Sequence, residues 1–135
     1  MLRIRLTARF LHAGGGAAMD TLVKIDLFFA GKPEAWALFE ALRTAVLARY
    51  PDTQLRVMKT CVAFDDPKPY LYVSFPPRKS MGGILATISL RERMEHPRFF
   101  MVVPVNKSRY TVHLHIGRAE QIDAELLSLV ALSHR

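Results

Sequence analysis

The chain has 135 residues, half of them hydrophobic, which predicts one domain whose core needs no disulfide or metal for stability. Its single cysteine, Cys61, excludes an internal disulfide and is typical of a reducing compartment, so we expect a cytoplasmic protein. No uncharged apolar run approaches the roughly 18–20 residues of a membrane span, so we expect no membrane partner.

The formal net charge of +7 is unevenly distributed along the chain. Residues 67–117 contain eight lysines and arginines against two glutamates, which gives this segment a charge of +6. A concentrated positive surface favours anionic partners such as nucleic acid or a phosphorylated ligand. The alternative is an ordinary solvated basic surface.

The first 18 residues differ from the rest in composition. They are basic, contain no acidic residue, and include three consecutive glycines, residues 14–16. We interpret residues 1–18 as a disordered or mis-assigned leader, with Met19 as the true start of a single α+β domain over residues 19–135.

The first half of that domain reads as a helix followed by extended chain. Pro33 suits a first helical turn, and apolar residues recur from Ala35 to Val46 at three- and four-residue spacing. Pro51 ends this helix near Tyr50. Residues 54–64 read as one extended segment, and residues 65–69 form a turn by composition.

The second half reads as consecutive strands and a closing helix. Strands are predicted over residues 70–75, 84–90, 99–103 and 110–116, with a turn over residues 104–108 and a helix over residues 119–132. The order gives an α+β fold: a two-layer sandwich with a mainly antiparallel sheet of about five strands, one helix before it and one after it.

Several short motifs in this order resemble a bacterial family of uncharacterised proteins, family 5655 of the domains of unknown function. The resemblance covers residues 20 to about 132 and is more distantly shared with YdhG-like domains. It is carried by these motifs: Phe28-Phe29 before Gly31-Lys32-Pro33-Glu34, Leu38-Phe39 with Leu42, Val57 with Lys59-Thr60, Ala63-Phe64, and His113. The family resemblance implies a small α+β domain and supplies no activity.

The basic segment also contains aromatic residues, a combination that binds single-stranded nucleic acid through phosphate contacts and base stacking. Tyr70 and Tyr72 share one face of their predicted strand with Ser74, which favours both as exposed stacking platforms. The alternative is packing in the core, where strand aromatics more often lie. The residues predicted to contact the anion are Lys68, Arg78, Lys79, Arg91, Arg93, Arg98, Lys107 and Arg109.

His113 and His115 lie two residues apart on a predicted strand and therefore point to the same face. Two histidines at this spacing can bind a transition metal if a third ligand is near, and His96 or Glu95 is the nearest supplier. The alternative is a polar sheet face with ordinary histidines. We therefore treat a small metal-binding protein or enzyme centred on His113 and His115 as the alternative function.

No arrangement in the sequence favours catalysis. Cys61 lies within a predicted strand, where cysteine is usually a small apolar filler. No pair of carboxylates is flanked by apolar residues that would separate their pKa values for acid–base work. We predict a non-enzymatic binding module for an anionic partner, without a cofactor. A homodimer formed through an open sheet edge is a further hypothesis.

Overall fold

A six-stranded antiparallel sheet packs against three described α-helices, which confirms the α+β sandwich. The computed structural model describes residues 16–134, with side chains from residue 20 onward. In chain order the elements are α1 (Gly16–Phe28), α2 (Pro33–Arg49), β1 (Gln54–Val57), β2 (Val62–Asp65), β3 (Pro69–Ser74), β4 (Ile84–Leu90), β5 (Phe99–Asn106), β6 (Arg109–Ile116) and α3 (Ala124–Ser133).

The strands lie in the order β1-β2-β3-β4-β6-β5, and all neighbouring pairs are antiparallel. Strand β6 lies between β4 and β5, so the long connection from β4 leads the chain to the outer edge before β6 returns to the centre. Strands β1 and β5 are the two edges of the sheet.

All three helices pack on one face of the sheet, because a single core cluster contains residues from each of them and from four strands. Alternate residues of the central strands enter this core, for example Ala86 and Ile88 of β4 opposite Leu114 and Val112 of β6. The other face of the sheet carries no helix among the described residues, and we call it the outer face.

Helix α2 follows its predicted pattern closely. Pro33 occupies the first turn, and the buried face includes Leu38, Phe39, Leu42 and Val46. Phe39 is completely buried and contacts the rings of Phe29, Trp36 and Phe64. The aromatic cluster joins α1, α2 and the sheet.

The prediction of about five strands is wrong by one, since the extended segment 54–64 is a hairpin. The Met58 amide donates to the Cys61 carbonyl at 2.8 Å, and this turn separates β1 from β2. Strand β5 is also longer than predicted and continues through Pro104 to Asn106. Pro104 is tolerated there because β5 is an edge strand.

The structure also adds a helix before the sheet, since α1 precedes the predicted helix α2. Leu22, Ile25 and Phe29 bring this part of the chain into the core. Residues 16–18 of the predicted leader belong to α1, and residues 1–15 lie outside the described residues, so the leader and the Met19 start stay predictions.

Within residues 16–134, no helix combines the length and the apolar character needed to cross a membrane.

We predict that Phe39→Ala lowers the free energy of unfolding by about 3–5 kcal/mol, because it leaves a cavity among three aromatic rings. Chemical denaturation measures the change. Leu27→Ala is the matched control, since Leu27 is 70% exposed and its truncation should change stability by less than about 0.5 kcal/mol. Equal losses in the two variants would contradict the packing described.

Candidate functional site

A basic cleft lies at one end of the sheet, where β3 begins, β4 ends and β6 begins. Because these three neighbouring strands are antiparallel, the structure brings Lys68, Arg91 and Arg109 to the same end. The cleft has a volume of about 500 Å³. Its lining consists of Lys68, Pro69, Tyr70, Ser89, Leu90, Arg91, Asn106, Ser108, Arg109 and Ser133.

The cleft opens because β3 and β4 separate at this end. Their paired residues run only from Ser74–Leu85 to Tyr72–Thr87, although β3 begins at Pro69 and β4 ends at Leu90. Ser133, at the end of α3, accepts a hydrogen bond from the Ser89 amide through its Oγ atom at 3.0 Å. A side chain from the helix layer thus satisfies a backbone donor of β4 beside the cleft.

The polar groups of the cleft are cationic or neutral, and among residues 16–134 no carboxylate belongs to its lining. Asn106 accepts hydrogen bonds through its Oδ1 atom from the Ser108 amide at 2.8 Å and from the Ser108 hydroxyl at 3.1 Å. These bonds order the turn between β5 and β6, which carries Arg109 into the cleft.

The three cations of the cleft are exposed, and within residues 16–134 none of them forms an ion pair with a carboxylate. Other arginines differ: Arg43 binds Glu40 at 2.9 Å, and Arg56 binds Asp65 at 2.9 Å. The positive charge of the cleft is therefore available to an external anion.

The remaining predicted anion contacts are dispersed. Arg78 and Lys79 lie in the connection from β3 to β4, at the opposite end of the sheet from the cleft. Arg93 lines an adjacent groove together with Arg91, Glu92 and Leu132. Lys107 lies in the β5–β6 turn, outside the cleft lining.

The prediction of Arg98 as a phosphate contact is not supported by its surroundings. Its Nη1 atom lies 2.7 Å from Asp123 Oδ1 and 3.2 Å from Glu125 Oε1, and its Nη2 atom donates to the Gln121 carbonyl at 2.6 Å. The bonds to Asp123 and, to a lesser extent, Glu125 raise the pKa of Arg98. The Leu126 amide and then the Arg98 guanidinium lower the pKa of Asp123. Arg98 ties the start of β5 to the start of α3.

The prediction that Tyr70 is an exposed stacking platform is wrong, because its side chain is only 3% exposed. The β2–β3 register shifts between Phe64 and Asp65, and this irregularity interrupts the side-chain alternation on which the prediction relied. The ring of Tyr70 contacts Tyr50, Phe64 and His134. Its hydroxyl lies 2.8 Å from Thr53 Oγ1.

Tyr72, by contrast, is half-buried on the outer face, opposite Thr87. The Tyr72 side chain therefore points to the face that the alternation of side chains along β3 predicts. Tyr70 lies on the opposite, core face. The structure does not bring the two tyrosines together as one platform.

His113 and His115 lie on the outer face, as their spacing predicts, because Val112, Leu114 and Ile116 enter the core. His113 Nδ1 lies 2.7 Å from Thr87 Oγ1, and burial lowers the pKa of this histidine. His115 Nε2 donates to the Gly82 carbonyl at 2.9 Å. Each imidazole already has a protein partner.

The expected third metal ligand does not join this pair. His96 Nε2 lies 3.2 Å from Glu125 Oε2, beside helix α3 on the core side of the sheet. Among the described residues, no group of three or more histidines, cysteines and carboxylates is placed to hold a metal ion.

Cys61 lies at the hairpin turn between β1 and β2, half-buried, with its Sγ atom 3.6 Å from Met58 Sδ. Burial raises the pKa of this thiol. A raised pKa disfavours the nucleophilic thiolate. The prediction that Cys61 lies within a strand is wrong, because β1 ends at Val57 and β2 begins at Val62.

Sequence reasoning missed the neutral half of the cleft, namely Ser89, Asn106, Ser108 and Ser133. The Asn106–Ser108 pair carries a usable signal, since asparagine two residues before serine is typical of a side-chain-stabilised turn. Ser133 carries none, because its place beside Ser89 depends on how α3 packs.

Comparison with protein families gives a match to one family, the domain of unknown function DUF5655, over residues 25–135. The match covers most of the chain, which therefore belongs to this family. Comparisons with curated proteins and with solved structures give no match.

We predict an alkaline loss of stability that depends on Tyr70. Burial raises its pKa from 10.0 to about 12. The folded state therefore holds the phenolic proton more tightly than the unfolded chain, so this contribution is complete below pH 10.0 and is lost as the pH rises towards about 12. The stability advantage of the wild type over Tyr70→Phe should shrink over this range.

Denaturant titrations at several pH values measure this advantage, with Tyr72→Phe on the outer face as the matched variant. Parallel pH profiles for the wild type and Tyr70→Phe would contradict the burial of Tyr70.

Proposed function

For a member of a family without an assigned activity, we propose a non-enzymatic binding module whose basic cleft takes a small phosphate-bearing ligand. The observation that carries the proposal is the convergence of Lys68, Arg91 and Arg109 on one cleft whose described lining residues include no carboxylate. Three strand ends that are distant in sequence supply these cations, so their proximity is a product of the fold.

Phosphate suits the donors that line the cleft. Arginine offers paired N–H groups that match two phosphate oxygens, and lysine adds a compact positive charge. The hydroxyls of Ser89 and Ser108 are neutral groups of the same lining that can donate further hydrogen bonds. A carboxylate ligand could bind the same groups, but it has fewer oxygens than phosphate to accept their hydrogen bonds.

The size of the cleft favours a small ligand over an extended nucleic acid. Its volume of about 500 Å³ lies within the range of roughly 300–1,000 Å³ of small-molecule sites. A nucleic acid strand needs cations along a continuous path, whereas Arg78 and Lys79 lie at the far end of the sheet. We therefore favour a small phosphate-bearing ligand and treat nucleic acid as the alternative partner.

Binding rather than catalysis is supported by the residue types of the cleft. In the part of the chain that the structure describes, the lining includes serines, but no histidine, cysteine or carboxylate that could activate them as nucleophiles. The alternative centred on His113 and His115 has less support, because Thr87 and the Gly82 carbonyl already engage one nitrogen of each ring.

We also propose a cytoplasmic location, on the basis of the single cysteine.

The test measures binding of inorganic pyrophosphate by calorimetry at low salt. We predict that the double variant Arg91→Ala/Arg109→Ala weakens binding by about tenfold or more, because charge-assisted hydrogen bonds are lost. The matched control is Arg78→Ala/Lys79→Ala, which removes the same net charge at the opposite end of the sheet and should leave binding nearly unchanged.

Equal weakening in the two double variants would contradict the cleft and indicate a general charge effect. A labelled single-stranded oligonucleotide, titrated over a salt series, tests the competing partner. Tight oligonucleotide binding with a steep salt dependence, together with no pyrophosphate binding, would show that the partner is nucleic acid.

A further inference from the structure

Strand β5 is an edge strand of the sheet. It has eight residues, pairs only with β6 among the described strands, and contains no charged side chain from Phe99 to Asn106. Five of its apolar residues are between 39% and 54% exposed: Phe100, Met101, Val102, Val103 and Val105.

Both faces of β5 are apolar and exposed. Val102 shares its face with Val112, which is completely buried, yet Val102 is 39% exposed. Met101 lies on the outer face opposite His113 and is 45% exposed. The helix layer therefore covers the inner face of β6 but leaves that of β5 open.

The opposite edge of the sheet is built differently. Strand β1 has only four residues, and its Arg56 forms an exposed ion pair with Asp65 of β2. Short length and an exposed charge are the usual protections of an edge against pairing with another chain. Strand β5 lacks both of these protections.

Pro104 and two irregularities limit where a partner strand can pair. The β5–β6 register shifts between Phe99 and Met101 and again between Pro104 and Asn106, and Pro104 has no backbone donor. The regular part of the edge is therefore the segment Met101–Val103.

We propose that β5 pairs with β5 of a second copy of the chain, in antiparallel orientation, about a two-fold axis at Val102, the middle residue of the segment Met101–Val103. The pairing joins two six-stranded sheets into one continuous sheet. Main-chain hydrogen bonds satisfy the open edge, and the exposed apolar side chains of each copy cover those of the other.

A second copy is the favoured partner because the two ends of β5 have opposite charge. At its start, Asp123 and Glu125 surround the single guanidinium of Arg98. At its end, the turn carries Lys107. Antiparallel pairing places the acidic end of one copy beside the basic end of the other, while the uncharged centre brings no like charges together.

The dimer is independent of the proposed anion cleft. Lys107 lies outside the cleft lining, and residues 100–105 contribute nothing to it. Loss of dimerisation and loss of pyrophosphate binding can therefore be distinguished with separate variants.

The test is sedimentation equilibrium of the full chain over a range of concentrations. We expect a monomer–dimer equilibrium that Val102→Lys weakens by about tenfold or more, because two lysines would meet at the two-fold axis. Leu27→Lys is the matched control, since Leu27 is the more exposed apolar residue, at 70%, but lies in α1. It should leave the equilibrium unchanged.

Lys107→Glu tests the orientation of the two strands. It should weaken the dimer, and the loss should diminish at high salt, because the charge pairing between the strand ends is screened. Circular dichroism checks that each variant is folded.

A wild-type chain that stays monomeric at millimolar concentration would overturn the proposal. The partner of β5 would then have to be a peptide of another protein. A dimer that withstands Val102→Lys in a folded variant would overturn it as well.

Discussion

The three described helices all cover the same face of the sheet, and the other surface features depend on this constraint. Three helices contribute to one core centred on α2 and the middle strands, with Phe39 and Phe64 among its completely buried side chains. The layer ends before β5, so this strand remains exposed on both faces. Burial of apolar surface thus stabilises the centre and leaves the periphery of the sheet available for binding.

Two sets of side-chain contacts connect the periphery of the sheet to this core. His134 stacks on Tyr50 with ring centroids 3.8 Å apart, and its Nε2 atom lies 2.8 Å from Asp66 Oδ2, so the end of the described chain is held beside the start of β3. Arg98 binds Asp123 and Glu125 and holds the start of β5 against α3. The cleft and the edge strand are positioned by these contacts rather than by the loops alone.

The periodic parts of the sequence predicted the fold well, and the irregular parts did not. Helix α2 and strand β4 follow their apolar patterns, since a packed face must repeat with the period of its element.

The hairpin at Met58–Cys61 contains no glycine or proline, so one extended segment was predicted for β1 and β2. The misplacement of Tyr70 has a similar cause, because an irregular strand pair changes the alternation locally. The ion pairs of Arg98 could not be predicted, because its carboxylate partners lie 25 and 27 positions away along the chain.

The central claim is that the three cations at one end of the sheet form a phosphate site. The most direct measurement is an NMR titration of the full chain with inorganic pyrophosphate, followed through the backbone amide signals. The account predicts that the largest shifts come from Ser89, Arg91, Ser108 and Arg109, which line the cleft. Shifts centred on His113 and His115, or on Arg78 and Lys79, or no shifts at all, would contradict it.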